Sequence, residues 1–341
     1  MTISVFTHDA NLAHDAGSGH PERPDRLRAM RQGIETAGLT DAVDWREPTM
    51  ASIDDILSVH SLAMIEEVER VHSLGGGQLD PDTAMNTASR EAALRAAGSG
   101  LDAIDLIAAD PSLKAAFCAV RPPGHHATPD RSMGFCLFNS AAIAATKLAA
   151  AGHRVAIVDI DAHHGNGTQD AFYSNPDVLF ISLHQSPLYP GSGRMDETGS
   201  AGAVGSTINI PVPPGTTGDA YRLALDALVF PAIEAHGADR LIISAGFDSH
   251  RDDPITDLGL TSGDHADLIA ALTGTVDCAP IIFLEGGYDL EAVSNAVGAS
   301  LARLLDIDHR PERSTGEGPG LGQVEVAAEF HRRLRADQVL G

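Results

Sequence analysis

VAIVDIDAHHGNG, residues 155–167, is the stretch on which the reading of this chain turns. Its first four residues, Val155 to Val158, are small or aliphatic without alternation, as in a strand buried on both faces of a sheet. The run then breaks into Asp159, Asp161, His163, His164 and Asn166, polar groups that would be costly inside a core. Working outward, the same transition recurs three times. The apolar run at 115–120 meets Arg121-Pro122-Pro123-Gly124-His125-His126, that at 241–245 meets Gly246-Phe247-Asp248, and that at 281–284 meets Glu285-Gly286-Gly287-Tyr288. Ligands of an open parallel sheet bind outside the carboxyl ends of its strands. Four such endings predict one shared site.

Apolar runs at 3–7, 115–120, 154–160, 178–184, 207–212, 240–245 and 280–284 read as strands. Helical spacing covers 23–37, 53–74 (in one or two pieces), 87–109, 139–151, 219–236, 264–272 and 290–305. Alternating strands and helices predict an α/β fold with a central, mostly parallel β-sheet and helices on both faces. One domain is expected over 1–307. The Pro- and Gly-rich stretch 308–322 is expected to be an exposed link to a short helix at 324–336, making 308–341 a peripheral tail.

Of the 341 residues, 43% are hydrophobic and 21% charged, enough to bury a sizeable core. The net charge of −24 repels phosphate backbones and argues against a nucleic-acid partner. It favours cationic ligands, and it serves equally well as a solubility or salt adaptation. Cys118, Cys136 and Cys278 are odd in number and form no CxxC pair, which fits a reducing cytosol. With no signal peptide and no membrane-length apolar run, a cytoplasmic protein with no membrane partner is expected, and self-association is left open.

The Asp159/Asp161/His163 spacing is the sharpest local signal. In extended chain, alternate side chains share a face. Asp161 and His163, joined by Asp248, offer one imidazole and two carboxylates, a set that binds a borderline divalent metal and leaves positions open for water and substrate. The competing reading makes the aspartates turn caps and His163 a core residue; three further polar strand ends weigh against it. The adjacent His125 and His126 can divide the work of general base and electrostatic partner. Tyr288 can hydrogen-bond a developing oxyanion, or sit buried with a satisfied hydroxyl.

Taken together and in order, RPPGHHA, GFCLFN, DIDAHHGNGT, SLH, AGFD and EGGY resemble the histone deacetylase and acetylpolyamine amidohydrolase superfamily, from about residue 20 to residue 305. The resemblance implies the arginase/deacetylase fold. It implies Asp161, His163 and Asp248 as ligands of one zinc ion, or ferrous iron, per chain. It makes His125 and His126 the pair that activates water and protonates the leaving amine. Asp159 would buttress His125, and Asn166, as in the class II branch, would partner His126. Tyr288 would polarise the acetyl carbonyl. It also implies Gly134, Phe135 and Tyr189 as walls of an acyl-lysine tunnel. A structural potassium site would draw on Asp159, Asp161, His163, Ser182 and Leu183. Arg23 resembles the arginine of an internal acetate channel, with a plain helix-start salt bridge as the other reading. Either Asp80 or Asp82 would be the rim carboxylate that grips substrate backbone.

Arginases and agmatinases share this fold and hold two metals, but their extra carboxylates are replaced here by Gly165 and His250. A second divalent ion is therefore not expected. The implied reaction is metal-assisted hydrolysis of acetyl-lysine in proteins or peptides, with acetylpolyamines or other small amides as the alternative. Ile255 occupies a rim position where one polyamine-selective subgroup has Glu; an aliphatic there disfavours that subgroup but not other polyamine enzymes, so the substrate is an acetylated peptide or an acetylated amine.

Overall fold

The apolar runs become strands because almost every residue in them has a buried partner on one face or the other. The computed structural model describes residues 2–340, with side chains to residue 336. Its strands are β1 (Ile3–Phe6), β2 (Val43–Arg46), β3 (Gly76–Asp80), β4 (Thr83–Asn86), β5 (Ala115–Cys118), β6 (Val155–Asp159), β7 (Val178–Gln185), β8 (Thr207–Val212), β9 (Arg240–Ala245) and β10 (Ile281–Leu284). Eight of them form one sheet in the order β2-β1-β5-β10-β9-β6-β7-β8, and every pairing is parallel. Ala156, Val158, Leu241, Ile243, Ile282 and Leu284 enter the core on one face. Val155, Ile157, Ile242, Ile281 and Phe283 enter the core on the other. That alternation across two covered faces is the expected α/β layering.

Helix Asp25–Thr36 lends Leu27, Met30 and Ile34 to the first face, together with Leu290–Leu304. Helix Ser140–Ala150, alanine-rich, covers the second. Small residues let helices approach closely. A Cβ on Gly33 would lie 2.0 Å from the Ser294 carbonyl oxygen, so the first pair of helices could not meet as they do with alanine there.

The strand order positions the site. β5, β10, β9 and β6 are the four central neighbours, and they are the four whose ends carry the polar clusters. The chain reaches β5 and β6 early and returns to fill the space between them, a topological switch of the kind that opens a crevice at the strand ends.

Several elements differ from expectation. β2 and the β3–β4 hairpin are strands the pattern does not announce; three glycines at 75–77 read as a helix end, yet Gly76 already pairs with Asn86. Of the one or two helical pieces expected over 53–74 there are two, Ile53–Leu57 and Leu62–Ser73, each capped by a serine side chain. The helix over 219–236 contains a π-helical segment, Leu225–Val229, just before Pro231. Proline lacks the N–H and crowds the carbonyl four residues back, and a widened turn accommodates both.

The segment 308–322, expected as an exposed link, is mostly exposed but is also fastened to the body. Arg310 pairs with Asp267, Glu312 with His250, and Thr315 with Asp264. The helix after it, Leu321–Leu340, is longer than the expected 324–336 and buries Val324, Ala327 and Ala328 in the first-face core. No helix is long and apolar enough to cross a membrane among the described residues.

Candidate active site

β6 ends at Asp159, so the shared face expected of an extended 159–163 does not form. Instead the Asp159 carboxylate accepts the Asp161 N–H (3.1 Å), and the Asp161 carboxylate accepts the His163 N–H (2.9 Å). These two side-chain-to-backbone links wind the chain into a turn. Asp248, beyond β9, accepts the Ala162 N–H (2.9 Å) through Oδ1 and meets His163 Nδ1 (2.9 Å) through Oδ2. Gly286, beyond β10, donates its N–H to Asp161 Oδ2 at 2.7 Å. Three strand ends are thus sewn together by two carboxylates.

Asp161, His163 and Asp248 present ligand atoms within 4.8 Å of one another, all three buried. Burial, then the neighbouring Asp161, pushes the Asp248 carboxyl up to about 7. Burial works against charge on His163, but hydrogen bonds to both aspartates push its imidazole up to about 10. Two crowded carboxylates with one imidazole, short of positive charge, fit a divalent cation as Zn²⁺ or Fe²⁺ sites require. Space is kept for it. A Cβ on Gly286 would fall 2.3 Å from Asp248 Oδ2 and 2.6 Å from Asp161 Oδ2. Where a two-metal site would need carboxylates, His250 instead turns to Glu312, and Gly165 has no room for a side chain, since a Cβ there would lie 2.2 Å from Asp159 Oδ2.

The histidine pair follows β5. Its backbone is fixed by Glu285, whose carboxylate accepts the N–H groups of Gly124 (2.7 Å) and His125 (3.1 Å). His125 Nδ1 meets Asp159 Oδ2 at 3.0 Å, and His126 Nδ1 meets the Asn166 Oδ1 at 2.8 Å. The rings lie 4.0 Å apart. Burial disfavours charge on both. For His125 the carboxylates of Asp161 and Asp159 outweigh it and hold the imidazole well above its usual range. For His126 burial wins, reinforced by His125, and the imidazole is held well below. Adjacent groups pushed apart in this way can divide proton transfer from charge stabilisation. An amide oxygen on Nδ1 keeps the proton there and leaves His126 Nε2 as the basic atom.

Tyr288 is 8% exposed, and burial raises its phenol well above the usual range, so it stays a donor. Its ring meets Phe135 edge-on at 5.8 Å. Gly134 and Phe135 both have left-handed backbone, φ 57° and 67°, and a Cβ on Gly134 would strike the His126 ring at 2.4 Å. The β3–β4 hairpin pins this pair: Asp82 accepts the Gly134 N–H (3.1 Å) and Thr83 Oγ1 accepts that of Phe135 (3.0 Å). Tyr189, 38% exposed, packs edge-on to His126 at 5.1 Å and lies 6.4 Å from His163. Asp80 is drawn off to Arg131 at 2.9 Å. Ile255 is half-buried and donates its N–H to Asp253.

Ser182 lies opposite Asp159 in the β6–β7 register, with Leu183 next to it. Arg23 does not enter an internal channel. It is 47% exposed, with Asp25 at 3.9 Å, because the chain turns inward only with the helix that follows. Arg26 is the buried one. It donates to the carbonyls of Gly287 and Glu285, and its guanidinium sits 4.9 Å from the Tyr288 ring centre. Sequence reading also gave no role to Glu285, although it stands in the EGGY cluster, or to Asp253; a lone acid carries no spacing signal.

Comparison with known proteins agrees over nearly the whole chain. The histone deacetylase domain family matches residues 20–304. A probable deacetylase of Methanothermobacter thermautotrophicus is 38% identical over 338 residues, spanning 97% of this chain and 98% of its own. A histone deacetylase-like amidohydrolase of Pseudomonas aeruginosa is 36% identical over 340 residues, 92% and 88% of the two chains. The crystal structure of the HDA15 HD domain superposes with a TM-score of 0.88 at 35% identity, covering 99% of this chain and 98% of that one. On this agreement of sequence and fold, the chain belongs to the histone deacetylase family of deacetylases and amidohydrolases.

Proposed function

We propose that the chain hydrolyses the side-chain amide of acetyl-lysine in proteins or peptides. The observation that carries this is the meeting of the Asp161/His163/Asp248 cluster, the split histidine pair and Tyr288 at the ends of four adjacent strands. A zinc or ferrous ion held by the three ligands would supply Lewis acidity to the acyl oxygen and the attacking water. His126 Nε2 takes the proton of that water and returns one to the leaving amine nitrogen. His125, kept charged by Asp159 and Asp161, stabilises the negative charge that builds up on oxygen. The Tyr288 hydroxyl donates to the same oxygen, a contact worth roughly 3–4 kcal/mol. Phe135 and Tyr189 flank the methylene stem of the lysine. Acetate and a free amine leave.

A potassium ion bound by backbone carbonyls of 159–163 and by Ser182 and Leu183 would brace the turn from behind. The Ser182 hydroxyl meets His184 Nδ1 (2.9 Å), so its oxygen lone pairs stay available for such an ion. At the rim, Asp82 borders the Gly134–Phe135 wall and is the acid placed to accept a peptide N–H, while Ile255 offers no charge to a distal ammonium.

The test is a panel of acetyl-lysine peptides against acetylputrescine and acetylspermidine, assayed before and after chelation. Chelation should abolish turnover, kcat/KM should be higher on peptides, and Asp82→Ala should reduce peptide turnover selectively. Acetylpolyamine turnover tenfold above peptide turnover would assign the same chemistry to small amides.

A further inference from the structure

The metal cluster forces flexibility on the residue next to it. Gly286 must be glycine because a Cβ would collide with Asp161 and Asp248, and Gly287 has φ 115°. Two glycines in a row leave the Tyr288 loop soft, yet an oxyanion donor is useful only where it is held in place. The loop is stiffened from outside. On one side Arg26 grips the carbonyls of Glu285 and Gly287. On the other, Asp253 Oδ2 accepts the N–H groups of Tyr288 (2.8 Å) and Asp289 (3.4 Å), while Oδ1 accepts that of Ile255 (3.1 Å). Asp253 is 6% exposed and has no ion-pair partner among the described residues. A carboxylate so buried is held by those N–H groups.

The turn that presents Asp253 is anchored in its own right. Glu312 accepts from His250 Nε2 (2.8 Å), from Arg251 (2.5 Å), and from both the N–H (3.0 Å) and hydroxyl (2.9 Å) of Ser262. His250 and Arg251 stand between Asp248 and Asp253 in the chain. Glu312 lies past residue 304, where the match to the family ends.

We propose that Asp253 is a positioning residue that holds the Tyr288 hydroxyl at the acyl oxygen, and that Glu312 of the C-terminal segment anchors the turn that delivers Asp253. This rests on the role given above to Tyr288. Asp253→Asn keeps the shape but turns an NH₂ toward N–H donors at one of the two oxygens. On an acetyl-lysine peptide reporter its kcat should fall about 20-fold, with KM within about twofold and metal content unchanged. Glu312→Ala, farther from the site, should lower kcat about fivefold.

The decisive measurement repeats both changes in a Tyr288→Phe background. There each should cost less than about twofold, because the hydroxyl they position is gone. Equal losses in both backgrounds, or a loss carried by KM or by metal content, would overturn the proposal and leave the role of Tyr288 standing. Tyr288→Phe at full turnover would remove that role and the proposal with it. Should Asp253→Asn fail to fold, Glu312→Ala carries the same cycle.

Discussion

The floor of the candidate site, Asp161, His163 and Asp248, and its rim, the loops around Phe135 and Tyr189, are built on different principles. Asp161, His163 and Asp248 sit one turn beyond central strands; the two carboxylates accept backbone N–H groups of neighbouring strand ends, and His163 meets both carboxylates. Gly134, Phe135, Asp82 and Tyr189 stand on turns and on a two-stranded hairpin apart from the main sheet. A group on a sheet end inherits the rigidity of the sheet, whereas a loop group needs its own fastening. On the proposed function, the floor would fix which bond is broken and the rim would decide which molecule arrives with it. Changes to the floor should stop turnover of every substrate, and changes to the rim should re-rank substrates.

The largest expected effect is at the floor. Asp248→Ala should lower turnover about 10³-fold or more on peptides and small amides alike, with metal content falling in parallel when measured by elemental analysis. A loss confined to one substrate class would erase the distinction between floor and rim. Next comes the wall. Phe135→Ala should raise KM for an acetyl-lysine peptide about tenfold, the equivalent of one or two methylenes losing an apolar cover. A short acetylated amine without the stem should be turned over as before. If both substrates suffer equally, Phe135 supports the floor and does not line a tunnel.

The smallest effect on chemistry is expected at His60, which holds both ends of the rim segment 128–139. Its Nδ1–H donates to the Thr128 carbonyl (2.9 Å), and its Nε2 accepts the Asn139 N–H (2.9 Å). Burial lowers its folded pKa to about 4 from an ordinary 6.5. The folded state thus binds fewer protons than the unfolded one, and the stabilisation is complete above pH 6.5 and lost as pH falls through 4. On the order of 3 kcal/mol should disappear across that window in urea melts, and His60→Gln should flatten the dependence. Turnover per folded molecule should hardly change. An unaltered pH slope in His60→Gln would show that the rim is fastened elsewhere.

The floor was legible in the sequence because each part is a contiguous polar word following an apolar run. The parallel order of the sheet then does the assembly, since β5, β10, β9 and β6 are neighbours. What sequence missed lies in contacts with no local signature. Glu285 reaches back to Gly124 and His125, and Asp253 reaches forward to Tyr288. Arg23 and Arg26 lie in one helix-start phrase, and only packing shows that Arg26 turns inward. The hairpin is hidden by short strands of mixed polarity; proline and glycine rightly mark 308–320 as mostly exposed but say nothing of the partners of Arg310, Glu312 and Thr315.

The strand order also bears on how the protein is made. β5 and β6 emerge during synthesis with nothing between them, and the places between them wait for β9 and β10, the last strands of the chain. Until then the apolar sequences AAFC and VAIV present unpaired inner edges across a gap of roughly 14 Å, three strand spacings. Such edges recruit other strands. A chain cut short between residues 164 and 280 has the histidine pair, Asp161 and His163, with Asp248 as well if the cut falls after it, but neither Tyr288 nor a complete sheet. A chain stopped before β10 is therefore expected to aggregate, a loss of solubility in place of a loss of rate.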